Sequence, residues 1–147
     1  MTHNIKASDF IVNFLLSNDI NRCFCVTGGG AMHLNDSFGH NKDFITIYNH
    51  HEQACSMSAE GYSRTTGKPA VVCVTSGPGA INAITGVFGA WLDSIPMIVI
   101  SGQMKQETTL GSQPLDLRYL GFQEADITPI VSKITKYAKK IEDINEL

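Results

Sequence analysis

The sequence lacks the features that mark several classes of protein. Its 147 residues carry a net charge of −3 and contain no basic run, so we expect neither nucleic acid nor an acidic membrane surface as a partner. No apolar run is long enough to cross a bilayer, and the opening segment MTHNIKASDF has no apolar core of the signal-peptide type. The four cysteines form no CxxC pair. These absences predict a reduced, cytoplasmic protein.

The composition is typical of one globular domain. Hydrophobic residues make up 43% of the sequence and charged residues 17%, a balance that excludes a disordered chain. A chain of 147 residues can bury one core but is short for two. Cys23 and Cys25 stand two positions apart in an apolar run, so on a strand they share a face. We predict that both are buried thiols.

Strand and helix patterns alternate from residue 7 to residue 101. Apolar residues between Ala7 and Leu15 recur at the spacing of an amphipathic helix. The segment PAVVCVTS is apolar almost throughout, as a strand is when both faces of a parallel sheet are covered. The predicted strands are RCFCVT, FITIY, PAVVCVTS and IPMIVIS, and the other predicted helices cover residues 31–38, 52–65 and 80–92. This alternation predicts a three-layer α/β fold, a parallel sheet with helices on both faces.

Beyond Gly102 the pattern is weaker. The segment QMKQETTLGSQPLDLRYLGFQEAD is polar and rich in turn residues, and loops of this length are usually functional or mobile. Within it we predict a short helix near Leu115–Leu120. The segment ITKYAKKI predicts one more strand or the edge of a helix, and EDINEL predicts the start of a helix. Because that last helix would not be completed, we expect a fragment or the product of a truncated reading frame.

The segment YNHHEQACSMSAEGYSR contains a carboxylate, Glu52, with three competing interpretations. A zinc peptidase helix needs HExxH, and here Cys55 stands in place of the second histidine. The PCxxC motif of zinc deaminases is missing too. A glutamate in the first turn of a helix gains about 0.3–1 kcal/mol from the helix dipole, so a structural role is a strong alternative. The third interpretation is a proton-handling group, while His50 and His51 are interpreted as strand-end residues or local hydrogen bonders.

The glycine-rich segment VTSGPGAINA joins a predicted strand to a predicted helix. Ligands of α/β sheets bind beyond the carboxyl ends of strands, where helix N-termini point. The dinucleotide fingerprint GxGxxG is not satisfied, because Asn82 stands where the third glycine should fall. The motifs GxxxxGK[ST] and GxSxG are missing as well. Taken alone, this segment indicates only a tight strand–helix connection.

Three segments taken together are far more specific than any one of them. They are VTGGGAMHLNDS, the long stretch from NHHEQACS to VISGQ, and FQEADI. In this order and spacing, from about Ala7 to Ile141, they resemble the N-terminal, pyrimidine-binding domain of thiamine-diphosphate enzymes, and above all the acetolactate synthase large subunit. The resemblance implies the thiamine diphosphate-binding fold for the chain.

The resemblance also implies two catalytic residues. In this family the glutamate of the HEQ segment contacts the ring nitrogen of the cofactor's aminopyrimidine, a role that falls to Glu52. Proton exchange at that nitrogen activates thiamine diphosphate toward a 2-keto acid, so a carboxyl group is required there. Gln123 resembles a family glutamine that faces the active centre, and Phe122 is its neighbour. The simpler interpretation of Phe122 is a core residue.

Five further residues are implied as cofactor-binding. Pro78 and Asn82 resemble residues beside the pyrimidine ring. Gly29, Gly30 and Ala31 resemble the loop that approaches the thiazolium side and the substrate. The simpler alternative for the glycines is that the turns require them. No metal ligand is implied within this chain.

The implied reaction is that of a transferase and carboligase of branched-chain amino acid biosynthesis, which decarboxylates pyruvate and joins the remaining two-carbon unit to a second carbonyl. Acetolactate synthases usually have Tyr-Pro before two glycines, whereas this chain has Thr27 and Gly28 there. The segment TGGGAMHLNDS is more similar to a subgroup associated with unusual sugars. The acceptor implied by that subgroup is a keto sugar.

The resemblance implies domains that this chain does not contain. In the family, the diphosphate and Mg²⁺ are held by a C-terminal domain with a GDG motif, and a middle domain binds FAD in many relatives. Residues 1–147 are therefore expected to be the pyrimidine-binding domain without its last helix and strand, and without turnover when isolated. The apolar helix AINAITGVFGAWL is expected to be buried or to contact the diphosphate-binding domain of a second subunit in a homo-oligomer. The alternatives are a non-catalytic binding or assembly module of the same fold, and a dinucleotide binder.

Overall fold

Four short parallel strands form the centre of the structure, a computed structural model that describes residues 4–112, 114 and 116–147. The strands are β1 (Arg22–Cys25), β2 (Ile45–Tyr48), β3 (Ala70–Val74) and β4 (Met97–Ser101), in the sheet order β2-β1-β3-β4. The helices are α1 (Ala7–Ser17), α2 (Met32–His40), α3 (Glu52–Thr66), α4 (Pro78–Leu92) and the short α5 (Thr128–Val131). The predicted α/β fold with a parallel sheet is confirmed.

Two apolar cores lie on opposite faces of the sheet. One contains Cys23, Cys25, Val71 and Cys73 of the strands, packed with side chains of α1 and α2. The other contains Phe24, Ala70, Val72 and Val74, packed with side chains of α3 and α4. Odd and even strand residues face different layers because side chains alternate along a strand. β3 is buried along its whole length, which explains its continuous apolar sequence.

The cysteines are buried free thiols, as predicted for Cys23 and Cys25. Cys25 and Cys73 stand opposite each other on β1 and β3, and the Cys25 thiol is 3.4 Å from Asn35 Oδ1. The interaction with Cys73, together with burial, raises the pKa of the Cys25 thiol well above its usual range. The Cys25 thiol therefore stays protonated and acts as a small core side chain.

Three predictions for the second half of the chain are wrong or only partly met. Residues 116–120 form no helix, and Leu115 lies outside the described residues. The side chains of residues 116–119 are exposed, so no apolar face stabilises a helical turn there. ITKYAKKI is neither strand nor helix; Tyr137 is 74% exposed, and the segment buries too little apolar surface to join the sheet. EDINEL forms a single 3₁₀ turn, Ile144–Glu146, in which Asp143 accepts a hydrogen bond from the Asn145 amide.

Helices α3 and α4 approach each other closely at Gly86 of α4, because glycine has no side chain. A Cβ built at Gly86 of α4 would lie 2.7 Å from Ser56 Cβ and 2.8 Å from the Met57 backbone nitrogen of α3.

Helix α4 begins at Pro78, two residues before the predicted start, because proline is well suited to the first helical turn. Among the described residues, no helix combines the length and apolar character needed to span a membrane.

We expect Gly86→Ala to destabilise the protein by about 1–3 kcal/mol, because the added methyl overpacks the contact between α3 and α4. The matched control is Gly61→Ala, in the interior of α3, where an added Cβ meets nothing within 4 Å. That control should stabilise the protein by about 0.5–1 kcal/mol, since alanine is the better helix former. Urea unfolding of both variants checks the prediction, and equal effects at the two sites would contradict it.

Candidate functional site

The candidate site lies at the carboxyl ends of β1 and β3. The chain leaves β1 and adds β2 on one side of it, then crosses back and adds β3 on the other side. The turns that follow β1 and β3 therefore diverge at a topological switch point, where open α/β sheets bind ligands. Both glycine-rich segments, TGGGA after β1 and TSGPG after β3, are placed there.

Glu52 is the first residue of α3. His51 precedes it as the helix N-cap, and its Nδ1 accepts a hydrogen bond of 3.1 Å from the Gln53 amide. His51 therefore caps the helix, while Glu52 stands in the first turn, where its structural interpretation places it. The half-buried carboxylate of Glu52 is left beside a helix N-terminus, where the helix dipole favours negative charge.

The Glu52 carboxylate is held from α4. Asn82 Nδ2 donates a hydrogen bond of 3.0 Å to Glu52 Oε2. The other oxygen, Oε1, faces Gly79, where a built Cβ would lie only 3.2 Å from it. Asn82 therefore orients the carboxylate, and Gly79 allows the turn after β3 to pack closely against Oε1 and Thr75 Cγ2.

The predicted loop Gly29–Ala31 forms one 3₁₀ turn between β1 and α2. The Gly30 amide donates a hydrogen bond of 3.1 Å to Thr75 Oγ1, and Ala31 is buried. Gly29 is exposed, and a Cβ built on it meets nothing within 4 Å. The explanation that the turn requires this glycine therefore does not apply to Gly29.

Gln123 reaches the same region through its backbone. It has a positive φ of 54°, and its carbonyl lies directly over Gly77, which itself has a φ of +57°. The Gln123 side chain is exposed, and Phe122 is 72% exposed, so Phe122 is not a core residue. Pro78 is the first residue of α4 and is also exposed. The structure thus brings the segments of Glu52, Asn82, Pro78 and Gln123 together around the turn after β3.

Two residues that connect these segments were missed by the sequence analysis. Thr75 contacts the loop after β1, and Asn35 of α2 donates a hydrogen bond of 3.3 Å from Nδ2 to the Gly28 carbonyl. The available signal was the run of glycines: Gly28 and Gly30 have no side chains because Thr75 and Ser76 occupy that space.

The residues of the incomplete zinc motif are engaged elsewhere. His51 Nδ1 caps α3, while Cys55 is fully buried and burial raises the pKa of its thiol. Within residues 4–112, 114 and 116–147, no three His, Cys, Asp or Glu side chains group in a way that could hold a metal ion. The HExxC segment therefore has the geometry of a capped helix.

Comparison with known proteins identifies the family. Residues 5–129 match the family described as thiamine pyrophosphate enzyme, N-terminal TPP binding domain. The chain belongs to this family. As a member of the thiamine pyrophosphate enzymes, it carries its candidate site on the domain that is expected to contact the cofactor.

Individual relatives agree with this assignment. The acetolactate synthase large subunit of Buchnera aphidicola subsp. Acyrthosiphon pisum is 41% identical over 143 residues, 95% of this chain and 24% of the relative. The Lactococcus lactis large subunit is 36% identical over 97% of the chain and 23% of the relative. The isozyme 3 large subunit of Escherichia coli K12 is 35% identical over 97% of the chain and 24% of the relative. The chain thus spans about a quarter of the length of the curated relatives it matches.

Proposed function

We propose that this chain supplies the cofactor-activating carboxylate of a thiamine diphosphate-dependent enzyme that decarboxylates a 2-keto acid, with pyruvate as the donor. The observation that carries the proposal is the placement of Glu52: at the N-terminus of α3, oriented by Asn82, and in contact with the turn after β3 at Gly79. In a member of this family, such a carboxylate matches the requirement for a proton-exchanging group at the cofactor's pyrimidine ring.

The residues present fit an aminopyrimidine ring. A ring nitrogen needs a carboxyl group held in a defined direction, and Glu52 provides one that Asn82 orients at the turn after β3. Thiamine diphosphate, when bound, supplies the electron sink that decarboxylation requires. We assign the proton transfer to Glu52 Oε1, because Oε2 accepts the hydrogen bond from Asn82. Pro78 and Asn82 would border the ring, and Gly29, Gly30 and Ala31 would border the reacting end. Gln123 would also face the active centre, from the segment that packs on Gly77.

The acceptor carbonyl defines two candidate reactions. An acetolactate synthase-like carboligase would use a second 2-keto acid, in agreement with the names of the relatives. A keto sugar is the alternative, because the segment TGGGAMHLNDS, with Thr27 and Gly28 where acetolactate synthases usually have Tyr-Pro, is similar to the subgroup associated with unusual sugars.

The diphosphate, Mg²⁺ and any FAD would be bound outside this chain, by a diphosphate-binding domain of a second subunit and by a middle domain. One surface supports such a contact. Helix α4 exposes Ile81, Phe88, Trp91 and Leu92, each at least 44% exposed, although its other face is buried. We propose that this surface is covered in a cytoplasmic homo-oligomer. Sedimentation velocity of the protein would show self-association, whereas a monomer at all concentrations would contradict it.

Calorimetry and turnover together test the function. The full-length gene product should bind thiamine diphosphate with Mg²⁺, should not bind NAD, and should release carbon dioxide from pyruvate. Supplying a keto sugar or a second 2-keto acid then identifies the acceptor. Binding of NAD alone would indicate a dinucleotide binder. Binding of thiamine diphosphate by the assembled protein without any turnover would favour the non-catalytic module.

We expect Gly29→Ala to weaken the use of substrate or cofactor without weakening the fold. The added methyl meets no atom of this chain within 4 Å, so the thermal midpoint should not change. If the loop borders the reacting end, the methyl should raise KM for the keto acid. The matched control is Gly61→Ala, which also has open space around it and lies in the interior of α3. Equal kinetics for the two variants would contradict the placement of Gly29.

A further inference from the structure

Thr75, the first residue after β3, contacts the two halves of the candidate site. Its Oγ1 accepts the hydrogen bond of 3.1 Å from the Gly30 amide of the loop after β1. Its Cγ2 lies 2.7 Å from the Cβ position of Gly79, which is also the position that lies 3.2 Å from Glu52 Oε1. One side chain therefore touches the backbone that carries Gly29–Ala31 and the backbone beside the carboxylate.

The position of Thr75 is itself well fixed. Its carbonyl accepts a hydrogen bond of 3.3 Å from Ser101 Oγ at the end of the neighbouring strand β4. Its Cγ2 also lies 2.7 Å from the Cβ position of Gly28, whose carbonyl accepts the hydrogen bond from Asn35. Because β3 is fully buried, Thr75 emerges from the most constrained strand of the sheet.

We propose that Thr75 is a positioning residue that sets the distance between the Gly28–Ala31 loop and the Glu52 side of the site. The hydroxyl holds the loop, and the methyl supports Gly79 and, through it, the position of the Glu52 carboxylate. The link to catalysis rests on the proposed function, whereas the link between the two backbone segments does not. Because the hydroxyl and the methyl are separate groups on the Thr75 Cβ, substitutions can remove the two contacts one at a time.

The matched variants are Thr75→Val, which keeps the shape and loses the acceptor, and Thr75→Ser, which keeps the acceptor and loses the methyl. NMR of the labelled protein without cofactor gives the first readout. In Thr75→Val the Gly30 amide should exchange about five- to tenfold faster, the change expected for one lost hydrogen bond. In Thr75→Ser, Gly30 should exchange as in the wild type, while the side-chain amide signals of Asn82, which report on Glu52, should shift. Unchanged Gly30 exchange in Thr75→Val would overturn the proposal.

Kinetics of the assembled enzyme give the second readout. Thr75→Val should raise KM for the keto acid about tenfold, with little change in the thiamine diphosphate concentration that gives half-maximal activation. Thr75→Ser should raise the thiamine diphosphate concentration that gives half-maximal activation about tenfold, with little change in KM for the keto acid. If each variant raised both parameters equally, and in proportion to its loss in thermal midpoint, Thr75 would have a purely structural role and the proposal would be overturned. If the wild type has no thiamine diphosphate-dependent activity, the proposed function fails, and the NMR readout still decides whether Thr75 couples the two segments.

Discussion

Replacing Glu52 with glutamine should lower thiamine diphosphate-dependent turnover by about 10²–10⁴-fold, the usual contribution of a positioned proton-transfer group. Glutamine has the same shape as glutamate and can still accept the hydrogen bond from Asn82, so the fold and the geometry of α3 should be retained. An amide cannot exchange the proton that the carboxyl group carries. The measurement is the rate of carbon dioxide release from pyruvate by the assembled enzyme.

The matched control for this prediction is Glu60→Gln, two turns further along the same helix. Glu60 accepts a hydrogen bond of 3.1 Å from Arg64 Nε and lies away from the turns after β1 and β3. Such partly exposed ion pairs contribute about 0–1 kcal/mol, so this variant should keep wild-type turnover. Full activity in Glu52→Gln, or an equal loss in both variants, would rule out the assigned role of Glu52.

Replacing Gly77 with alanine should destabilise the protein by about 2–5 kcal/mol. A left-handed φ costs a residue with a side chain about 1–2 kcal/mol, and overpacking costs about 1–3 kcal/mol. Both apply here, because Gly77 has a φ of +57° and an added Cβ would overlap the Gln123 carbonyl. The variant should also displace the segment that carries Gln123.

Gly67 is a reference for a positive φ without crowding, with a ψ of 3° in place of the −119° of Gly77. It has a φ of +71° at the C-cap of α3, and an added Cβ there meets nothing within 4 Å. Gly67→Ala should therefore cost only the conformational part, about 1–2 kcal/mol. Chemical unfolding of both variants gives the difference. If Gly77→Ala were no more destabilising than Gly67→Ala, Gln123 would not pack on the turn after β3.

The sequence predicted the parallel sheet and the helices around it because periodicity and apolar content determine them directly. β3 is an example, since its five residues are all apolar and all buried. The segments ITKYAKKI and 116–120 were predicted incorrectly, because apolar side chains such as Leu117, Tyr119 and Tyr137 stay exposed and tertiary contacts decide such short segments.

The candidate site was predicted only in part. A family resemblance identified Glu52, but no sequence pattern shows that Asn82 donates a hydrogen bond to it, since the two residues lie on different helices. Thr75 was missed for a related reason. Its neighbours Gly28, Gly30 and Gly79 come from two separate turns, and only the order of the strands brings those turns together.

The hydrogen bond between Glu52 and Asn82 has a consequence for folding. It joins two residues that lie 30 positions apart on different helices. The contact of Gly77 with Gln123 closes a still longer loop. Contacts of this kind form late, because the chain must first close the intervening loops. The pairing of Cys23 on β1 with Val71 on β3 spans 48 positions, so the centre of the sheet and the oriented carboxylate both depend on such distant contacts and are expected to form together. Protection of the Asn82 side-chain amide during refolding would mark the moment at which the protein becomes competent to receive its cofactor.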